Sequence, residues 1–275
     1  VLRATALAPA ALLGWNVLLA ASARAAIPEE KALPATTVFF VKCDSAAQLR
    51  EAVSSSQFGR LLADPAMKPL KDDIAAKFGD AQKQSRAKLG LSLSELLDLP
   101  QGPLALAVVA TPNSTPPVAV LLSADAGKNE AKMADVMARI TKLAQDDPKN
   151  KVTTESFKDL TLTSIKGEKA QTPLVWTRRG SVFYIASSSD ELKPLLASPE
   201  GREDSLAGKA SFAAVSKKAG DDGQLTWYLD LEQVAKLVIK SLVDQGSNED
   251  TLKAQFALTG LNTLKAVGGR VGFSV

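Results

Sequence analysis

Ser85 and Lys88 have the Ser-x-x-Lys spacing that penicillin-binding proteins use to activate a nucleophilic serine. That chemistry needs the serine at the buried start of a helix, together with Ser-Asp-Asn and Lys-Thr-Gly motifs. Neither motif occurs in this sequence, and Ser85 falls near the end of a highly charged predicted helix. We therefore interpret the match as chance.

Pairs of carboxylates are the second candidate for catalysis. The pairs considered are Glu95 with Asp98, Asp221 with Asp222, and Glu249 with Asp250. Glycoside hydrolysis needs two carboxylates that face each other across a cleft. Glu95, however, is expected to complete a capping box with Ser92, and the other pairs fall at turns or loop ends, where Asp is common. We interpret these carboxylates as structural.

Histidine is absent from all 275 residues. Ser-His-Asp and Cys-His nucleophile systems need an imidazole as base, and many zinc, copper and non-haem iron sites need it as a ligand. The sequence also has no EF-hand calcium loop and no glycine-rich phosphate loop. It therefore predicts no catalytic, cofactor-binding or metal-binding residue and no cofactor, and any catalysis would depend on carboxylates, lysine or tyrosine.

Cys43 is the only cysteine, so the chain cannot form an internal disulfide. It ends an apolar run on a predicted strand, where a small buried side chain is expected, with a reactive or intermolecular thiol as the alternative. Four aromatic residues on predicted strands are expected to pack in the core or on a sheet face and not to form a sugar platform. They are Trp176, Tyr184, Trp227 and Tyr228.

Residues 1–25 have the three parts of a bacterial secretory signal: Arg3 near the start, an apolar stretch over 4–22, and Ala23-Arg24-Ala25 as the cleavage site. An uncleaved N-terminal membrane anchor is the alternative, because about 20 apolar residues can span a bilayer. No later stretch is apolar over such a length. The sequence predicts export to the periplasm, the cell envelope or the medium, with no transmembrane segment after the signal.

The charge balance argues against nucleic acid as a partner. Residues 1–25 contain two basic and no acidic residues, so without them the net charge falls from +3 to +1. The longest basic runs are pairs, such as Arg178-Arg179 at a predicted hairpin tip. A nucleic-acid-binding surface needs a clustered basic face, which this pattern does not predict.

Hydrophobic periodicity predicts an α+β fold, in which hairpins form an antiparallel sheet and helices pack on one face. Strands are predicted over 36–43, 104–110, 118–123, 152–157, 160–165, 174–177, 181–186 and 224–231. The clearest amphipathic helix is predicted over 129–145, and residues 27–35 are predicted to be a linker.

The chain also contains an internal similarity. TVFFVKCDSAAQL, from Thr37, resembles LTWYLDLEQVAKL, from Leu225, since each has an apolar strand, an acidic cap and a helix. The segment 89–109 resembles 258–275 in the same way, with Gly102 matched to Gly269. We therefore predict a signal peptide over 1–25, an α+β domain over 26–223 as the first unit, and a second, incomplete unit over 224–275.

Several short segments resemble a family of exported bacterial proteins of unknown function. They are Leu33-Pro34-Ala35-Thr36-Thr37, Phe58-Gly59-Arg60-Leu61-Leu62, Gly90-Leu91-Ser92-Leu93, Leu99-Pro100-Gln101-Gly102 and Tyr184-Ile185-Ala186-Ser187-Ser188. The resemblance implies export and no particular activity or site residue.

Three functions remain open from the sequence. The first is a non-catalytic exported protein with a structural or binding role, whose partner would be an envelope protein or polymer. The second is a His-free, carboxylate-based hydrolase, and the third is a carrier of a small apolar ligand. A hydrolase predicts a cleft with buried carboxylates of shifted pKa, a carrier predicts a large apolar cavity, and an interaction protein predicts an exposed apolar surface or an open sheet edge.

Overall fold

The computed structural model describes residues 29–197, 201–258, 260 and 263–273. The predicted signal peptide over 1–25 lies outside these residues. Within them, no helix is both long and apolar enough to cross a membrane.

The described strands form one antiparallel sheet of nine strands, in the order β4-β5-β6-β7-β3-β2-β1-β8-β9. Their bounds are β1 Thr37–Cys43, β2 Leu104–Ala110, β3 Val118–Asp125, β4 Asn150–Phe157, β5 Leu160–Gly167, β6 Leu174–Arg179, β7 Val182–Ala186, β8 Leu225–Leu229 and β9 Val267–Val271. Sequence-adjacent strands form the hairpins β2–β3, β4–β5, β5–β6 and β6–β7, in agreement with the predicted antiparallel sheet of hairpins.

The helices occupy the connections between these strands. Their bounds are α1 Glu29–Ala32, α2 Ala46–Ser55, α3 Gln57–Ala63, α4 Lys68–Leu89, α5 Leu93–Leu97, α6 Glu130–Asp146, α7 Ser189–Ala197, α8 Ala210–Ala219, α9 Leu231–Asp244 and α10 Glu249–Leu258. The segment predicted as a linker, 27–35, thus contains a short helix, α1.

Side-chain capping explains where several of these helices begin. Ser45 accepts a hydrogen bond from the Gln48 amide at the start of α2, and Ser92 and Glu95 form the predicted capping box of α5. Each cap satisfies backbone N–H groups that the first turn of a helix leaves without a partner. The local sequence therefore determines these boundaries.

Two hydrophobic cores lie on opposite faces of the sheet, because residues of odd and even position alternate across each strand. On the first face, α7 and α8 bury Leu192 and Phe212 against Phe40, Ala107 and Tyr228. On the second face, α6 buries its apolar stripe against Ala124 and Phe183; the buried residues of that stripe are Met133, Val136 and Met137.

The α+β class and the antiparallel sheet of hairpins are therefore confirmed. The expected placement of helices on one face differs from the structure, since α8 and α6 lie on opposite faces. The physical reason is that the strands in the middle of the sheet carry apolar side chains on both faces. Each face therefore needs helices to bury it, which the alternation of apolar and polar residues did not predict.

The two segments matched by the internal similarity lie side by side. β1 pairs with β8, and the matched residues Phe40 and Tyr228 are direct register partners. β2 flanks β1 and β9 flanks β8, so the order β2-β1-β8-β9 is symmetric about this pair. Gly102, however, precedes β2 whereas Gly269 lies within β9, so the proposed glycine match does not hold in position. The strands of the segment 224–275, β8 and β9, thus belong to the same sheet as β1 and β2. The internal repeat remains a prediction.

Candidate functional site

A small concavity lies on the first face of the sheet, between α1, α7 and strands β2, β3 and β7. Its volume is about 40 Å³, enough for one or two water molecules. Glu29 and Asp125 are the carboxylates of its lining, beside Ser123 and Tyr184. A sugar ring or a lipid chain is far larger than this space.

Glu29 is a titratable group whose pKa is shifted by that environment. Burial raises the pKa of its carboxyl, and the nearby Lys42 ammonium opposes the rise. The Ser123 hydroxyl lies 3.5 Å from Glu29 Oε1. Asp125 has a different role, because its Oδ1 accepts a hydrogen bond from the Gly127 amide at 2.9 Å and closes a turn. Asp125 is thus held by a local turn, whereas the Glu29 carboxylate is held by a long-range contact with β3.

A buried polar network lies further along the same face, at the β8–α9 junction. Asp230 is 1% exposed and caps α9 by accepting a hydrogen bond from the Gln233 amide at 2.8 Å. The Lys209 ammonium forms an ion pair with Asp230 Oδ2 and donates to the Ala35 carbonyl at 2.7 Å. The network thus joins the start of α8, the start of α9 and the segment before β1.

Tyr228 extends this network under α8. Its hydroxyl donates to Asp230 Oδ2 at 3.0 Å and lies 2.8 Å from the Ser211 hydroxyl. Burial raises the pKa of Tyr228 well above its usual value, and the neighbouring Asp230 charge adds to the rise. A tyrosine that acts as a base or a nucleophile needs a lowered pKa, so this geometry indicates a structural network.

A larger, open groove of about 830 Å³ lies beside this network. One wall is a face of α8, and the opposite side is the residues 265–268 that lead into β9. Small and apolar side chains form most of the surface, and the charged groups are Lys209, Lys218, Lys265 and Glu232. The groove is large enough for a ligand or a peptide, but it is open and lined by ammonium groups, unlike a closed apolar cavity.

β9 is one edge of the sheet, so its side away from β8 has no strand partner in the described part of the chain. About every second peptide group of such a strand points outward and lacks a hydrogen-bond partner. The opposite edge, β4, carries the exposed side chains of Lys151, Thr154 and Glu155. Exposed polar and charged residues discourage strand addition at β4.

Some apolar side chains on the second face of the sheet, the face that α6 covers, are also incompletely buried. On β3 and β9, Val120 is 41% exposed and Val267 is 38% exposed, while Leu121 on the first face of β3 is 4% exposed. α3 and α4 add four exposed apolar residues, which are Phe58, Leu61, Leu70 and Phe78. Exposed apolar side chains that are scattered in this way are common on globular proteins and do not by themselves identify a binding surface.

The residues considered for catalysis from the sequence do not come together. Ser85 donates its hydroxyl to the Leu91 carbonyl at 2.7 Å, which closes the turn between α4 and α5. The Asp98 carboxylate pairs with Arg50 at 3.4 Å, and Glu249 pairs with Lys253 at 2.7 Å. Among the described residues, no three His, Cys, Asp or Glu side chains form a possible metal site.

Cys43 and the aromatic residues have the environments that the sequence predicted. Cys43 is 3% exposed, and Tyr228 is fully buried between strand and helix. Trp176 packs against the second core and donates its indole N–H to the Thr141 hydroxyl at 3.1 Å. The two arginines of the β6–β7 hairpin end, Arg178 and Arg179, form ion pairs with Glu130 and Asp159.

Sequence reasoning missed the Lys209–Asp230 pair and the groove. Asp230 gave one local signal, because an acidic residue between an apolar strand and a helix is typical of an N-cap. Nothing local indicated Lys209 as its partner, since the two residues lie 21 positions apart on different elements. The groove itself forms only when α8 packs against β9.

Comparison of the chain with protein-family models, with curated proteins and with solved structures found no match in any of the three. The functional interpretation therefore rests on the residues and their arrangement.

Proposed function

We propose that this protein is an exported bacterial protein with a non-catalytic binding or structural role in the periplasm or at the cell envelope. The observation that carries the proposal is the open groove of about 830 Å³ between α8 and residues 265–268. An open groove beside a helix is a common way for one protein to bind a segment of another.

The predicted signal over residues 1–25 and the resemblance to exported bacterial proteins support the location. The absence of histidine from the sequence supports the non-catalytic role, together with the small volume around Glu29 and Asp125. The hydrolase alternative would require these two carboxylates to face a substrate-sized cleft, and the space of about 40 Å³ between them and their neighbours argues against it.

The test of location is fractionation of bacteria that express the gene with its own N-terminal segment. We expect the protein in the periplasmic or envelope fraction, with its N-terminus at Ala26 by mass spectrometry. Replacing Leu12 and Leu13 by Arg should abolish export, because the apolar stretch of a signal must be uninterrupted. Recovery of the unprocessed chain from the cytoplasm would contradict the proposed location.

The test of the binding role is cross-linking in intact cells, followed by purification from the envelope. We expect at least one specific protein or polymer partner, which is lost when the groove is filled by Ala214→Trp and kept in Ala213→Trp. Both alanines are exposed on α8, and only Ala214 lines the groove. A purified protein that carries a small molecule and no macromolecule would contradict the binding role and favour the carrier.

A further inference from the structure

We propose that the first part of α4 binds an anionic lipid surface. Leu70 and Phe78 would enter the headgroup region, and Lys71 and Lys77 would lie beside the lipid phosphates. This surface is separate from the groove beside α8, so the inference goes beyond the binding role proposed above.

α4 is far less covered than α6, the other long helix of the first unit. α6 buries four of its residues, whereas no described side chain of α4 from Lys68 to Gln84 is buried. The end of α4 is held in place, because Ser85 donates to the Leu91 carbonyl and Arg139 donates to the Leu89 carbonyl at 3.3 Å. The part of α4 before Ser85 is therefore accessible around its circumference.

The exposed apolar residues of α4 lie on one face of the helix. Leu70 is 47% exposed and Phe78 is 56% exposed, and Ala81 is also exposed. At about 100° per residue, these three positions fall within an arc of about 80°. Unlike scattered apolar residues, the side chains of such a stripe can enter one surface together.

Lysines lie at both borders of this stripe. Lys71 and Lys77 fall about 20° outside the arc, one on each side. Both are exposed, and neither has an ion-pair partner among the described residues. A lysine in this position can place its stem along the apolar surface and its ammonium group at a lipid phosphate.

The acidic residues of α4 lie away from the stripe. Asp72, Asp73 and Asp80 are all at least about 100° from its centre. Lys68 pairs with Asp72, and Lys83 pairs with Asp80 at 4.0 Å. The far face is thus largely neutralised by its own ion pairs, while the cations that border the stripe stay available to an anionic surface.

α3, which precedes α4, presents the same combination of groups. Phe58 is 52% exposed and Leu61 is 54% exposed. Arg60, between them, is exposed and has no ion-pair partner among the described residues. Two consecutive helices therefore expose large apolar side chains together with unpaired cations, which is the combination that an anionic lipid surface attracts.

A second copy of this chain fits the stripe less well. An antiparallel pair of α4 helices that matches Leu70 of one copy with Phe78 of the other also places Lys71 opposite Lys77, because each lysine is adjacent to its apolar neighbour. A parallel pair places each lysine beside its own equivalent. Repulsion between like charges disfavours both arrangements, whereas anionic headgroups complement the lysines.

The experiment measures co-sedimentation with lipid vesicles of the full chain, expressed with its own N-terminal segment. One set of vesicles is phosphatidylcholine, and the other contains equal parts of phosphatidylcholine and phosphatidylglycerol. We expect binding to the mixed vesicles to be at least about tenfold tighter, since each lysine at an anionic surface contributes about a fivefold gain. Added salt should weaken this binding.

Matched variants locate the surface on α4. Lys71→Gln and Lys77→Gln should each weaken binding to the mixed vesicles about fivefold. Phe78→Ser should weaken it at least about tenfold, and Phe78→Leu should retain most of it, because leucine is also apolar. Lys83→Gln is the control, since Lys83 lies on the far face and should have little effect. Circular dichroism checks that each variant is folded.

The other outcomes overturn the inference, each for its own reason. Equal binding to the two sets of vesicles would refute an anionic surface, and unchanged binding of Phe78→Ser would refute entry of the apolar stripe. A dimer that dissociates on Phe78→Ser, seen by analytical ultracentrifugation, would make a second copy the occupant. Vesicle binding that survives every α4 variant and is lost with residues 1–25 would assign it to that segment. None of these results bears on the groove beside α8, which the cross-linking experiment tests separately.

Discussion

The ammonium group of Lys209 is paired with the carboxylate of Asp230, which is almost completely buried at the end of β8. The same ammonium group also binds the Ala35 carbonyl, 174 positions earlier in the chain. One side chain thus connects the segment before β1, the start of α8 and the cap of α9. This connection holds α8 in the place where it forms one wall of the groove beside β9.

The first prediction concerns this ion pair. Asp230→Ala should lower the free energy of unfolding by about 3–5 kcal/mol, because it leaves the Lys209 ammonium without its counter-charge in a buried position. Urea denaturation followed by circular dichroism measures the change. Asp72→Ala is the control: it breaks the exposed Lys68–Asp72 pair and should cost about 0.5 kcal/mol or less. Similar losses in the two variants would show that Asp230 does not organise the junction.

The second prediction concerns the cap of α5. Ser92→Ala should cost about 1 kcal/mol, since its hydroxyl accepts a hydrogen bond from the Glu95 amide. Ser54→Ala, at an exposed position in the last turn of α2, should be neutral or slightly stabilising because alanine favours helix. A Ser92→Ala protein as stable as the wild type in urea would be inconsistent with a working cap.

Glu95 gives this cap a dependence on pH. Hydrogen bonds from the Ser92 amide and hydroxyl, together with Arg86, lower the pKa of Glu95 to about 2. Because its pKa is lower in the folded than in the unfolded state, its stabilisation is present above about pH 4.5 and is lost as the pH falls towards 2. Glu95→Gln should remove this part of the acid dependence, so the wild type and the variant should converge in stability near pH 2.

The third prediction concerns Glu29, whose shift has the opposite sign. Burial raises the pKa of Glu29, so the folded protein favours the protonated carboxyl and loses stability as the pH rises through the folded pKa. Glu29→Gln should therefore be more stable than the wild type at pH 7 and should approach it below pH 4.5. Thermal melts between pH 3 and pH 8 measure the difference.

Glu168→Gln is the control for that series, because Glu168 is exposed on the loop after β5. Its melting temperature should follow that of the wild type at every pH. If Glu29→Gln also followed the wild type throughout, the Glu29 carboxyl would have to be solvated and not enclosed between α1 and β3.

The fourth prediction concerns the reactivity of Cys43. Burial raises the pKa of its thiol, and the residue is 3% exposed, so both the thiolate fraction and access are low. Ellman's reagent should react with the native protein at least about a hundredfold more slowly than with the protein in 8 M urea. Fast labelling of the native protein would favour the alternative of a reactive or intermolecular thiol.

Local features of the fold could be predicted from the sequence because their causes are local. The β2–β3 hairpin starts and ends within two residues of its predicted bounds, since apolar alternation and the turn between the strands specify it. α6 lies over Glu130–Asp146, close to the predicted 129–145, because its stripe has helical spacing. The same reasoning placed Cys43 in the interior.

The candidate site could not be predicted in this way. The groove requires α8 to lie across β9, and the contact of Gly268 with Val215 joins residues more than 50 positions apart. The free energy of such contacts comes from burial of apolar surface. Burial does not depend on the separation of the residues in the sequence, so it leaves no periodic pattern there from which the contact could be predicted. For the same reason, the sequence did not predict that α6 and α8 cover opposite faces of the sheet.

The sequence by itself determined the elements, their caps, the absence of imidazole chemistry and the expectation of export, because each depends on residue type and short spacing. Only the tertiary structure decided that β8 pairs with β1, that α8 packs beside β9, and that Lys209 meets Asp230 beneath α8. Strand order and helix placement follow from long-range packing, in which many weak contacts act together. The groove on which the proposed function depends is a product of that packing.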